Sequence, residues 1–322
     1  MLNQPRERST HLKYAAPILK PLGMKQRTNA LFKLAESHYE AGVANGTQSR
    51  MHGWNDHVLP TALLSREIAK KAGGSAEEQE LAFVAGLLHD WKRLPDQKLK
   101  KLGKEDCHER DSAAFARKIL QVYGYSPEET ESAAKAIASH SFGLSPENGA
   151  RSVANAEGIV ARALKAADKA GQLGAEGVWR RNVFLGEAKP NFTLEQARDY
   201  YGKRIKKFEE FAAAPEGKTL LACKGAKQGW KLMREYEERL HSEEAEAKKS
   251  KAVAGFYREA GATGMFLFGF GCGAKGWNEA RTAKAYAAGF PIIRAKWLKA
   301  KLKKEEEAVV LKGLAFTKRL LV

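Results

Sequence analysis

Cysteine is scarce in this chain of 322 residues: Cys107, Cys223 and Cys272 are an odd set with no CxxC spacing. A disulfide framework and a thiolate zinc site are thereby excluded as organising devices, and a reducing compartment fits best. Long apolar runs are missing too. The longest, Gly264 to Gly273, is about half a membrane span and rich in Gly. Leu2 to Gly23 has no continuous apolar core with a cleavage site, so no secretory signal is expected, and Met24 offers a second start. Proline numbers only 10 and alternating β-branched runs are absent, which argues against wholesale disorder and against sheets. No Ser nucleophile elbow or P-loop pattern occurs, so covalent hydrolase and motor chemistry are not expected. A soluble cytoplasmic protein with no membrane partner is the expectation.

What is present is apolar content of 43%, enough for a sizeable core, and a net charge of +17 that is unevenly spread. Lys248 to the end carries +11 and Met1 to Asn29 carries +5, which leaves about +1 for 30–247. The basicity therefore sits at the two ends, and any argument from charge to nucleic acid concerns those ends.

The middle reads as consecutive amphipathic helices. Val58, Leu59, Ala62, Leu63, Ile68, Ala69 and Ala72 follow helical spacing up to Gly73-Gly74. Capping boxes at Ser75, Ser126 and Thr193 open three more helices, the second with Pro127 at its favoured first position. His108 to Tyr123 and Ala156 to Leu173 are helical by period. The fold class is all-α. A basic extension over 1–29, a helical domain over 30–242 and a basic Gly/Lys-rich extension over 243–322 are expected. In the last, Glu243 to Lys251 reads as a charged linker, followed either by a small helical lobe around Trp277, Phe290 and Trp297 or by poorly ordered chain.

Histidines and aspartates stand out by their setting. His57 falls in the first turn of the first of these helices. His89-Asp90 closes the apolar run Phe83 to Leu88. His140 sits in Ser139-His140-Ser141-Phe142, and Asp168 lies on a helix otherwise built of small and apolar residues. Singly, each is an ordinary surface or core residue. As an ordered set H…HD…D attached to apolar helices, they favour a divalent cation of the Mn, Co, Ni, Fe or Mg type, because ligating groups against a buried face are costly unless paired or metal-bound.

From about Met51 to Leu240 this stretch resembles the HD superfamily of metal-dependent phosphohydrolases, and within it the small stand-alone bacterial enzymes of the YpgQ/YedJ type, which are implicated in nucleotide hydrolysis. Five blocks carry the resemblance: His57-Val58 with the helix ending Glu67-Ile68-Ala69, Ala85 to Asp90, His108 to Ala113, Ser139 to Phe142, and Ala167 to Ala175. It implies an HD helical bundle in which His57, His89, Asp90 and Asp168 ligate the metal. It implies that His108 and His140 line the same pocket, binding the scissile phosphate or holding a second metal. The sequence departs from the family's pattern at Pro60, where Arg is usual, at Trp91-Lys92-Arg93, where a small Gly-containing turn is usual, and at Gly171, where an acidic residue is common. Lys92, Arg93 or Lys169 would then take over phosphate binding.

The expected reaction is attack of metal-activated water on phosphorus in a small phosphorylated metabolite, with nucleotides favoured. Asp90 would orient or deprotonate the water, and His108 or His140 would stabilise or protonate the leaving oxygen. Two other functions compete. One is a single-stranded nuclease using the basic ends with Trp277, Phe290 and Trp297 as a stacking surface. The other is a non-catalytic adaptor whose basic tail docks on RNA or another acidic partner, and weak nucleic-acid binding through the tails is compatible with either.

Overall fold

The computed structural model describes residues 25–48, 52–103, 106–141, 156–223, 225–276 and 279–321. Among these residues the secondary structure is helical, with no strand. The chain is all-α.

Helix α1 (Gln26–Ala44) lies against a bundle made by α2 (Leu59–Lys71), α3 (Ala76–Leu88), α4 (Asp96–Lys101), α5 (His108–Val122), α6 (Pro127–Ala138) and α7 (Gly158–Ala170). The Ser75, Ser126 and Thr193 capping boxes all form, each closing reciprocal bonds with the residue three positions on. The bundle buries α3 on every side from Leu81 to Leu88, which explains why its sequence is apolar all round and not amphipathic. Gly86 makes the tightest contact there. A Cβ at that position would stand 2.5 Å from Ala62 Cα, so α2 and α3 meet backbone to backbone. That close approach sets the His57 end of α2 beside the His89 end of α3.

His57 is not in the first turn of a regular helix. It belongs to a π-helical turn, Trp54–Val58, that runs into α2. The Val58 N–H donates to Gly53 O across five residues, and Pro60, lacking an N–H, makes no bond back to the turn.

The second half comprises α8 (Gly174–Ala188), α9 (Leu194–Ala213), α10 (Pro215–Leu221), α11 (Ala226–Ala247), α12 (Lys251–Ala260), α13 (Ala262–Ala274), α14 (Glu279–Leu298) and α15 (Lys304–Leu321). The Gly-rich Phe segment forms α13, laid on α8. Cβ atoms at Gly186 and Gly273 would each come within 2.0 Å of a carbonyl oxygen on the opposing helix, of Phe270 and Val183 respectively. The glycines are therefore an interhelical contact and not a loop.

Two expectations need revision. Helix α11 runs unbroken through the boundary expected at 242/243, because the charge run after it is one helix's solvated face, while Glu243 turns inward and accepts from Ala262 N and Thr263 N at 2.8 Å each. One hydrophobic cluster joins Val178, Tyr236 and Leu240 to Met265, Phe316 and Leu320, so the two sides share a core. Trp297 is buried edge-on against Phe256, with Phe290 packed on the same cluster, and its ring offers no face to a nucleobase. Trp277 lies outside the described residues, as does all but the last five residues of the N-terminal extension.

Candidate metal centre

The site forms where the end of α3, the π-helical turn, the start of α5, the end of α6 and the last turn of α7 converge. His89 and Asp90 come directly after α3, as its backbone leaves the helix. His89 is fully buried, and its Nδ1–H donates to Gly86 O at 2.7 Å. A carbonyl can only accept, so the neutral ring presents its lone pair at Nε2. That atom stands 3.0 Å from His57 Nε2, 3.5 Å from Asp90 Oδ2 and 4.0 Å from Asp168 Oδ1. His57 Nε2 in turn lies 3.4 Å from Asp90 Oδ2 and 3.3 Å from Asp168 Oδ1.

A second imidazole pair faces the other carboxylate oxygen. His140 Nδ1–H donates to Ile137 O at 2.6 Å, and His108 Nδ1–H donates to Asp106 Oδ1 at 2.8 Å. Their Nε2 atoms are 3.3 Å apart and lie 3.6 and 3.3 Å from Asp90 Oδ1. Asp90 thus stands between two histidine pairs. Its Oδ1 is buried without a hydrogen-bond partner among the described residues.

The protonation states favour a cation. Burial pushes His89 down to about 3 against the opposing charge of Asp90. Burial, reinforced by Arg93, also depresses His52 and His108. Burial would raise Asp90 and Asp168, but His89 with Arg93 holds the first, and Lys169 with His57 the second, well below the usual carboxylate range. His140 differs: Asp90 and Asp168 overcome its burial and raise it. Neutral imidazoles facing ionised carboxylates are the state a metal ion requires. The donor atoms of His57, His89 and Asp168 lie within 4.8 Å of one another, and so do those of His89, Asp90 and His140. Inward-facing lone pairs and an orphaned carboxylate oxygen fit a divalent ion better than any protein group present.

Residues 55–170 match the family described as HD domain. HD domains are metal-dependent hydrolases, and His57, His89, Asp90, His108, His140 and Asp168 all lie inside the matched segment. No curated protein and no solved structure matches the chain.

The cationic residues divide. Arg93 reaches the HD centre, with Nη1 3.0 Å from His108 Nε2 and 3.9 Å from Asp90 Oδ1. Lys169 is buried and donates to Asp168 Oδ2. Lys92 is exposed and lies over the Phe115 ring at 5.1 Å, turned from the centre. Sequence reasoning missed His52, whose Nε2 is 3.8 Å from Asp90 Oδ2 and which forms a third donor group with His57 and Asp90. Its only signal was its place five residues before His57. It also missed Arg180, buried on α8, whose Nη1 donates to Gly171 O at 3.4 Å. A Cβ at Gly171 would come 3.2 Å from that Nη1 and 3.8 Å from His57 Nδ1, so the glycine leaves Arg180 its room.

Proposed function

We propose that the chain is a phosphohydrolase dependent on a divalent metal, acting on a small phosphorylated metabolite, with nucleotides the favoured class. One observation carries the reading: the Nε2 atoms of His57 and His89 stand 3.0 Å apart and each lies within 4.0 Å of carboxylate oxygens of both Asp90 and Asp168, inside the segment that matches the HD domain. His57, His89, Asp90 and Asp168 are the proposed ligands. His108 and His140, on the far side of Asp90, hold either a second ion or the scissile phosphate. When bound, the ion lowers the pKa of water and offsets charge on the phosphoryl group. Asp90 touches both histidine pairs and is the group proposed to orient the attacking water. Arg93 and Lys169 attract the phosphate, and His140, raised toward the protonated form, is suited to stabilise the leaving oxygen. The finer likeness to YpgQ/YedJ-type enzymes, a preference for manganese and a cytoplasmic setting belong to the same proposal. So does weak nucleic-acid binding by the exposed Arg294, Lys299, Lys301, Lys303 and Lys304, for which steep salt dependence is the signature.

The test compares the wild type with His89→Ala/Asp90→Ala after metal removal, measuring phosphate and pyrophosphate release from a nucleotide panel as Mn²⁺, Co²⁺, Ni²⁺ or Mg²⁺ is restored. Hydrolysis restored only in the wild type supports the reading. A wild type that binds none of these ions sinks it.

A further inference from the structure

Beyond the HD segment, α8 and α9 bring two more guanidinium groups toward the centre. Arg204 on α9 donates through Nη1 to the Tyr200 hydroxyl at 3.1 Å and through Nη2 to Gln172 Oε1. Gln172 N is bonded to Lys169 O at 3.0 Å, and its residue lies four positions past Asp168. Arg204 is therefore tied to the chain just past the end of α7, four residues beyond a proposed metal ligand. Arg181 on α8 lies 5.9 Å from the centroid of the same Tyr200 ring that Arg204 approaches at 5.4 Å. The Tyr200 ring is therefore bracketed by two cations.

Both arginines are half-buried, and among the described residues neither makes an ion pair with a carboxylate. Their hydrogen-bond and ring partners are neutral. Burial lowers Arg181 to about 10, and the charge of Arg204 adds to the effect, so the two guanidinium groups repel each other. Two like charges withdrawn from water without an acid between them cost stability unless an anion joins them.

We propose that Arg181 and Arg204, bracketing Tyr200 and tied to the metal centre through Gln172 and Lys169, form a second anion subsite that takes a phosphate group other than the one at the metal. The preferred substrates then carry at least two phosphates in an anhydride-linked chain, as nucleoside di- and triphosphates do, and lone monophosphates are poorer. The inference rests on the phosphohydrolase reading and narrows its substrate class. A nucleic-acid strand fits less well. Single-strand binding uses open aromatic faces on which bases stack, whereas Tyr200 has a guanidinium at 5.4 and another at 5.9 Å and meets Phe192 edge-on at 6.3 Å.

The deciding measurement is calorimetric binding of inorganic tripolyphosphate and of orthophosphate to chelator-treated full-length protein, for wild type, Arg181→Gln/Arg204→Gln and Arg181→Lys/Arg204→Lys, each checked for an unchanged thermal transition. The wild type is expected to prefer tripolyphosphate. The Gln pair is expected to weaken tripolyphosphate about ten-fold, the loss of two charge-assisted contacts, with orthophosphate little changed. The Lys pair should keep part of the affinity. Equal tripolyphosphate affinity in the wild type and the Gln pair overturns the subsite. Tighter binding of oligothymidylate than of tripolyphosphate, lost in the Gln pair, overturns the small-polyphosphate assignment. Mn²⁺ binding to the same samples reports on the hydrolase reading separately, since a wild type that binds tripolyphosphate through these arginines but takes up no metal keeps the subsite and loses the reaction.

Discussion

Around Asp90, α2 and α3 meet through Gly86 and Ala62 in a layer of apolar side chains, and a cluster of histidines and carboxylates gathers at its end with Arg93 and Lys169 beside it. Around Gly186 and Gly273, α8 and α13 meet just as closely, yet the residues carried to the centre from that half are arginines. The same packing device serves two ends. In the first half it fixes the chemistry, because a ligand set tolerates little displacement. In the second half it fixes a scaffold from which long, flexible cations reach the first.

Breaking the ligand set is expected to have the largest effect. Asp168→Asn keeps the shape of the side chain but removes the charge facing His57 and Lys169, and should cost at least about 10³-fold in metal-restored hydrolysis, by analogy with the removal of other transition-state partners. Retained turnover with metal bound would show that Asp168 is no ligand. Next come the glycines. Gly273→Val places a side chain into the Val183 carbonyl and should destabilise by about 3 kcal/mol, read as a lower denaturation midpoint, with metal affinity of the folded fraction unchanged. Gly86→Ala should cost about 1–3 kcal/mol and also weaken metal binding, because it parts His57 from His89. Identical metal affinities in the two variants would erase the distinction between the halves.

A smaller effect is expected from pH. His89 is held at about 3 in the folded protein, whereas an unperturbed imidazole titrates at 6.5. Between these values the unfolded chain binds a proton that the native state refuses. Metal-free protein should therefore lose stability as the pH falls below 6.5, by at most about 1.4 kcal/mol per pH unit from this group. His89→Asn should flatten the melting temperature between pH 6.5 and about 4.5, above the carboxylate range; an unchanged slope would assign the loss to other groups. His140, raised in the folded state, works in the opposite sense, its share being lost as the pH rises. The smallest effect is expected at Lys92. Lys92→Ala should shift stability by less than about 0.5 kcal/mol and leave metal affinity untouched, as befits an exposed side chain turned from the centre.

Much of the helical framework and of the centre could be read from residue order. The three capping boxes announce their own helix starts, and His89-Asp90 is conspicuous because charge follows an eight-residue buried run. His52 was overlooked because its place beside Asp90 depends on a loop and a π-helical turn, whose geometry leaves no periodic trace. The Gly-rich segment of α13 left helix and loop open, since glycine favours neither until a partner helix demands its lack of a side chain.

The sequence by itself determined the all-α class, the starts of the capped helices and the ordered histidines and aspartates, because these depend on local hydrogen bonds and on apolar spacing along one chain segment. Tertiary structure alone decided that α11 crosses the expected domain boundary, that Trp297 is core, that Lys92 faces away while Arg93 faces in, and that Arg181 and Arg204 share one tyrosine. Each of these depends on which helix face meets which. That choice is made by contacts between residues far apart in the chain, and net charge summed over a segment, near zero for 30–247, hides where its cations gather.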